Sequence, residues 1–152
     1  MIWRTFAVLE GPRGRLRGEI GEPGDGRIEV RSFAAAIRAL RDAAAGGAGG
    51  RRQHQPLTFS KDTGAMTPQL AQAACTGSVL RSVVFSFVRF VEGGRDETSF
   101  VVRLSDVTVS GHRLVLPASG AGLALAEEVD LTFRRIEWEH IGAKTMAADE
   151  WG

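Results

Sequence analysis

The chain has 152 residues, 43% of them apolar, and its 19 Lys and Arg nearly cancel its 18 Asp and Glu. That is one ordinary domain with enough chain to bury a core, and it carries no net basic field that would imply nucleic acid. One cysteine, Cys75, excludes an intramolecular disulfide, and no apolar run approaches the length that spans a bilayer.

Residues 2–9 are aromatic and β-prone until Gly11-Pro12 stops them. The same stretch lacks the basic start and long apolar run of a conventional signal peptide. Residues 12–26 hold five glycines and two prolines and read as a loop or irregular hairpin. Residues 27–33 alternate as a strand, with Ile28 and Val30 on one face. Residues 34–45 are alanine-rich and admit two readings, a short helix by propensity or a strand end entering a loop. Gly46-Gly47-Ala48-Gly49-Gly50 follows as flexible-linker chemistry, so residues 38–53 read as a long surface loop.

Residues 55–61 form the next strand, with Leu57 and Phe59 on one face. A helix is predicted over 68–76, with Thr67 as cap, Pro68 at the first helical position and Gly77 at the left-handed end. Leu70, Ala71, Ala73, Ala74 and Cys75 give it an apolar side, and a helix this short must dock on a sheet. Residues 79–91 and 98–110 are long strands joined by Glu92-Gly93-Gly94-Arg95-Asp96, a hairpin. Residues 111–122 read as a connection with a possible short strand at 113–116.

The last strand is 127–140. Val129, Leu131 and Phe133 share one parity, then Ile136 and Trp138 take the other. One extra residue at Arg134-Arg135 repairs such a phase change, which predicts a β-bulge and a curved, barrel-like sheet. Residues 1–141 therefore read as one domain without internal repeats, and 142–152 as a short tail, polar apart from Met146 and Trp151.

Both faces of the long strands are apolar. In 79–91 one parity gives Val79, Val83, Phe85, Phe87 and Val91, the other Leu80, Val84, Val88 and Phe90. In 98–109, Phe100, Val102 and Leu104 oppose Val101, Val107 and Val109. A sheet with one wet face should be polar there. The second face must meet either the helix and long loop or another subunit. Val84, Val88, Phe90 and Val101 are the candidate interface positions. Glu137, Glu139, Arg134 and Arg135 join them as charges able to pair across strands.

Chemistry is sparse. His54, His112 and His140 are dispersed, with no second ligand at metal spacing. Cys75 reads as a small buried thiol. Gly46 to Gly50 and Gly93-Gly94 precede no Lys-Ser or Lys-Thr. Glu137 and Glu139 lie opposite Ile136 and Trp138, as a solvated or interface face does, and not as a glycosidase pair. No catalytic residue, metal site or cofactor is expected.

Three segments, in order, resemble the Hcp family, the tube-forming proteins of bacterial type VI secretion systems. They are Leu57-Thr58-Phe59-Ser60-Lys61-Asp62 with Thr67-Pro68-Gln69-Leu70; then Val102-Arg103-Leu104-Ser105-Asp106-Val107-Thr108-Val109-Ser110; then the final strand from Glu127 to His140 with its phase change. Phe6 to Gly11 and Gly26 to Phe33 add a weaker echo. The resemblance implies a β-barrel of two packed antiparallel or mixed sheets with one short helix on its side. It implies a non-enzymatic subunit that forms hexameric rings, stacked into a hollow tube. Its partners would be copies of itself, the sheath, spike and baseplate, and small effectors in the lumen, without nucleic acid or membrane insertion. Such a protein is made in the cytoplasm and exported without a signal peptide. Strands 79–91 and 98–109 become candidates for the ring seam, and loop 38–53 for ring-to-ring contact. A phage or contractile-injection tail-tube protein shares this architecture, and a β-barrel enzyme or ligand-binding module is the other alternative.

Overall fold

The computed structural model describes residues 2–21, 24–39, 52–116 and 124–150. In chain order run β1 (Ile2–Gly11), β2 (Gly14–Arg15), β3 (Arg27–Val30), β4 (Ser32–Ala34), β5 (Ile37–Ala39), β6 (Arg52–His54), β7 (Leu57–Asp62), α1 (Thr67–Thr76), β8 (Val79–Phe90), β9 (Glu97–Val115), β10 (Ala126–His140) and β11 (Thr145–Glu150). The fold is mainly β with one short helix, as the alternation predicts. Every strand pairing among the described residues is antiparallel.

A single residue closes the main sheet on itself. β1, β8, β9, β10 and β7 pair in succession. The segment predicted as one strand over 27–33 divides at Arg31, so that β3 pairs with β1 and β4 with β7. The Arg31 N–H donates to the Ser60 carbonyl at 2.7 Å, which carries the chain from one partner to the other. Closure leaves few sheet edges to be managed.

The phase change of the last strand is real, but its cause differs from the predicted bulge. Phe133 pairs with Val107 and Arg135 with Ser105, so no extra residue enters at 134–135. Instead Arg81, Asp106 and Arg134 all drop out of the ladders on neighbouring strands. The buried positions jump by three on each strand, from Leu80 to Val83, from Val107 to Leu104 and from Phe133 to Ile136. The sheet is creased along one line, and Asp106 takes the bend with a φ of 52°. True register shifts fall elsewhere, between Asp130 and Leu131 and between Phe87 and Val88.

α1 stoppers one end of the barrel. It leaves β7 after Asp62, which pairs with Ala126, and enters β8 at Val79, which pairs with Thr108. Met66, Leu70 and Ala73 are buried in the core beneath it. Gly77, at φ 68°, ends the helix with its N–H on the Ala73 carbonyl. Met66 occupies the N-cap position and no side chain caps the helix, so Thr67 does not serve there. Cys75, expected to be buried, is exposed.

An aromatic column runs through the interior to the opposite, open end. Phe59 meets Phe85 at 5.5 Å between ring centres, Phe85 meets Phe33 at 4.9 Å, Phe33 meets Phe87 at 5.0 Å and Phe87 meets Phe100 at 6.1 Å. Such edge-to-face contacts add to their area burial.

Three further expectations change. The possible short strand at 113–116 belongs to β9, which continues to Val115. The chain after Ile141 doubles back as β11, paired with Arg135 to His140. At the ends of the expected loop 38–53, β5 pairs with β6 as a two-stranded ribbon. Most of that loop lies outside the described residues, as do residues 40–45 of the alanine-rich stretch, whose start is strand β4.

Asp106→Val should lower the unfolding free energy by about 1–2 kcal/mol, because a β-branched residue is disfavoured in the left-handed region. Asp106→Gly should leave it nearly unchanged. Urea unfolding reads both, and equal losses would show that the side chain, not the backbone, sets the crease.

Candidate assembly surfaces

Alternation on β7 puts Lys61 on the same face as Leu57 and Phe59, and that face is the core. Glu127 reaches the core the same way, in phase with Val129 and Leu131. Both are fully buried and lie 2.8 Å apart, Nζ to Oε2. Lys61 also donates to Glu19 Oε1 at 2.6 Å and to the Asp62 carbonyl at 3.0 Å. The Thr67 hydroxyl donates to Glu127 Oε2, and it accepts the Gly64 N–H at 2.9 Å. His112 Nε2 stands 2.8 Å from Glu127 Oε1. The cluster ties β7, β9, β10, the loop around Glu19 and the start of α1 together. The sequence reading takes Thr67 as a helix cap and His112 as a dispersed histidine, and does not bring them together with Lys61 and Glu127. The available signal was the parity that places a lysine and a glutamate among core residues.

Histidines prove structural. His112 serves that cluster, and His140 Nδ1 accepts the Ala143 N–H at 3.0 Å. His54 is stacked on Trp138 and edge-on to Phe133. Its Nε2 and Arg52 Nε converge on Asp149 Oδ2 at 2.8 and 2.6 Å. Arg52 adds a bond to the Glu150 carbonyl at 3.1 Å. The ribbon β5–β6 is thereby clamped to β11. Hydrogen bonds from Arg52, then from His54, hold the Asp149 carboxyl down at about 2. Among the described residues no group of three or more His, Cys, Asp and Glu side chains is placed to hold a metal ion.

The outer wall is where the predicted interface residues meet. Register aligns Arg27, Val8, Val84, Arg103 and Glu137 in one row, and Glu29, Phe6, Ser86, Val101 and Glu139 in the next. Val88 continues the apolar centre beside Arg4, and Phe90 lies at its lower end beside Ile2. The centre is apolar and holds a cleft of about 200 Å³ lined in part by Phe6, Val8, Val84 and Val88.

Charges frame the wall on both sides. Arg4 bonds Glu29 at 2.7 Å, which holds the Glu29 carboxyl below its ordinary range. The Arg4 and Arg27 guanidinium groups lie over the Phe6 ring. On the far side Arg103 reaches Glu139 at 2.8 Å, and Arg135 reaches Glu137 at 3.0 Å. Val84, Val88 and Phe90 are half-buried. Val101 shares their face but is only 5% exposed. Arg134 is not part of this wall; it is exposed at the crease.

The chain is a closed antiparallel β-barrel with one short helix and an apolar outer wall framed by ion pairs. Residues 7–140 match the family described as "Type VI secretion system effector, Hcp", and the chain belongs to that family. A curated relative, the "Major exported protein" of Pseudomonas aeruginosa, is 26% identical over 130 residues, spanning 82% of this chain and 75% of the relative. Among solved structures, one described as Hcp protein superposes with a TM-score of 0.86 at 23% identity, covering 99% of both chains. A variant of Hcp1 from E. coli EAEC 042 gives 0.84 at 24% identity, covering 98% of this chain and 99% of that one. No helix among the described residues is long and apolar enough to cross a membrane.

Two outcomes follow. Lys61→Met should cost about 3–5 kcal/mol in urea unfolding, because it strands a buried carboxylate. Adding Glu127→Gln should recover part of that loss, and full additivity would show that the pair is not coupled. The ribbon clamp should answer to acid in one direction only. Asp149 has a depressed pKa, so its contribution is complete above the ordinary aspartate range and is lost as pH falls through about 2. Protection factors of the amides at residues 52–54, taken relative to intrinsic exchange at each pH, should stay high at pH 4 and fall near pH 2, whereas Asp149→Asn should show low protection already at neutral pH.

Proposed function

We propose that the chain is a structural, non-enzymatic tube subunit of a type VI secretion system, forming six-membered rings that stack into an exported tube. The observation that carries the lateral contact is the apolar stripe along the half-buried Val8, Val84 and Val88, beside the covered Phe6 and framed by paired charges. Interfaces are built this way, with an apolar centre and a polar rim. Because the rim charges are already paired within the chain, a neighbour meets neutralised ion pairs and a dry centre.

Family membership supports the secretion system over the phage tail tube, and a structural role over catalysis. Under this reading the chain leaves the cytoplasm through its own machine, with sheath, spike and baseplate as partners and small effectors in the lumen. Val84, Val88 and Phe90 form the seam, with Val101, 5% exposed, lying beneath it. Glu137, Glu139 and Arg135 frame it, and Arg134, exposed at the crease, is a further contact outside the wall. Loop 38–53, whose base is clamped to β11, makes the ring-to-ring contact.

Size-exclusion chromatography with light scattering should give a mass about six times that of the monomer. Val84→Asp, on the outer face, should give a folded monomer with a native circular dichroism spectrum. An unchanged ring in Val84→Asp removes this wall from the seam, and a wild type that stays monomeric at high concentration defeats the ring itself.

A further inference from the structure

The aromatic column surfaces at the open end of the barrel as a hollow of about 360 Å³, lined by Trp3, Phe87, Ser99, Phe100 and His140. Four strands supply one ring each: Trp3 from β1, Phe87 from β8, Phe100 from β9 and His140 from β10. Register brings them together, since Phe87 pairs with Phe100, Phe100 with His140, and Trp3 with Arg89, two residues beyond Phe87. The register shift between Phe87 and Val88 falls here and leaves Ser99 as the extra residue of β9. Bulges of this kind re-aim side chains. The Ile141 N–H donates to the Ser99 carbonyl at 3.0 Å, which ties the bulge to the turn after β10.

The rings form a corner. Phe87 stands at 66° to Phe100 with centres 6.1 Å apart, and Phe100 at 75° to His140 with centres 6.3 Å apart. Parallel rings make a slot for a flat ligand, whereas steeply turned rings enclose a rounded one. Among the described residues no acid, Lys or Arg lines the hollow. His140 Nδ1 accepts the Ala143 N–H at 3.0 Å, so that nitrogen carries no proton and the ring is neutral imidazole. A ligand here is therefore held by ring faces, which carry the negative part of the aromatic quadrupole. The chain already uses one ring this way: the Arg89 guanidinium lies 5.6 Å from the centre of the Trp3 ring. Glu97 stands directly opposite Arg89 in the ladder and offsets its charge.

We propose that this mouth binds the trimethylammonium group of a small soluble compound such as choline. That group is rounded and cationic and has no hydrogen-bond donor, which is what a corner of aromatic faces accommodates. A primary ammonium would bring three donors to walls that offer few acceptors. The site lies apart from the outer wall, and ring formation is not required for it.

NMR titration of the full chain with choline tests it. Amide shifts at residues 3, 87, 100 and 140 should move saturably. The uncharged isostere 3,3-dimethyl-1-butanol should bind about three- to thirtyfold more weakly, the range of cation–π contacts. Trp3 is 53% exposed, so its replacement leaves the fold intact. Trp3→Leu should weaken choline several-fold without weakening the isostere, and Trp3→Phe should restore most of the loss. Equal binding of choline and the isostere would mark a merely apolar hollow and overturn the proposal. So would choline binding that is indifferent to Trp3→Leu, or the absence of any saturable shift. Sedimentation of the chain with phosphatidylcholine vesicles, without binding of free choline, would assign the site to a lipid surface and overturn it as well.

Discussion

The barrel depends on one buried ion pair. Lys61 and Glu127 have no exposed surface, and an isolated charge in that position would cost many kcal/mol. The pair survives because every polar valence is met, by Glu19, Thr67, His112 and the Asp62 carbonyl. The same requirement fixes the backbone nearby. A side chain at Gly64 would place its Cβ 2.3 Å from the Glu19 carboxyl carbon, which is itself pinned by Lys61. Core packing alone would hold α1 loosely, since only Met66, Leu70 and Ala73 are buried beneath it. The ion cluster instead fixes its start by Thr67, and so fixes where β7 ends and β8 begins.

Much of this was legible in the sequence. Pro68 and Gly77 bound the helix, and alternation located every long strand. The phase change between Phe133 and Ile136 correctly announced a bend in β10. Its cause was not legible from one strand, because the crease is a property of three neighbours whose unpaired residues, Arg81, Asp106 and Arg134, lie far apart in sequence. Thr67 looked like a cap because caps are read from local sequence, while its partner Glu127 is a long-range one. β11 was invisible for a related reason. Its residues are almost all exposed and show no alternation, so only the open edge of β10 below Leu131 defines it.

The interface positions chosen from parity divide on structural grounds. Val84 and Val88 do face outward, but Val101 is covered by its own neighbours. The acids Glu137 and Glu139 are bound to Arg103 and Arg135 within the chain. Surface pairs of this sort add little stability. Under the proposed assembly their consequence is for recognition: with the charges neutralised in place, a partner need not supply counter-charges, and the apolar stripe between them becomes the selective feature.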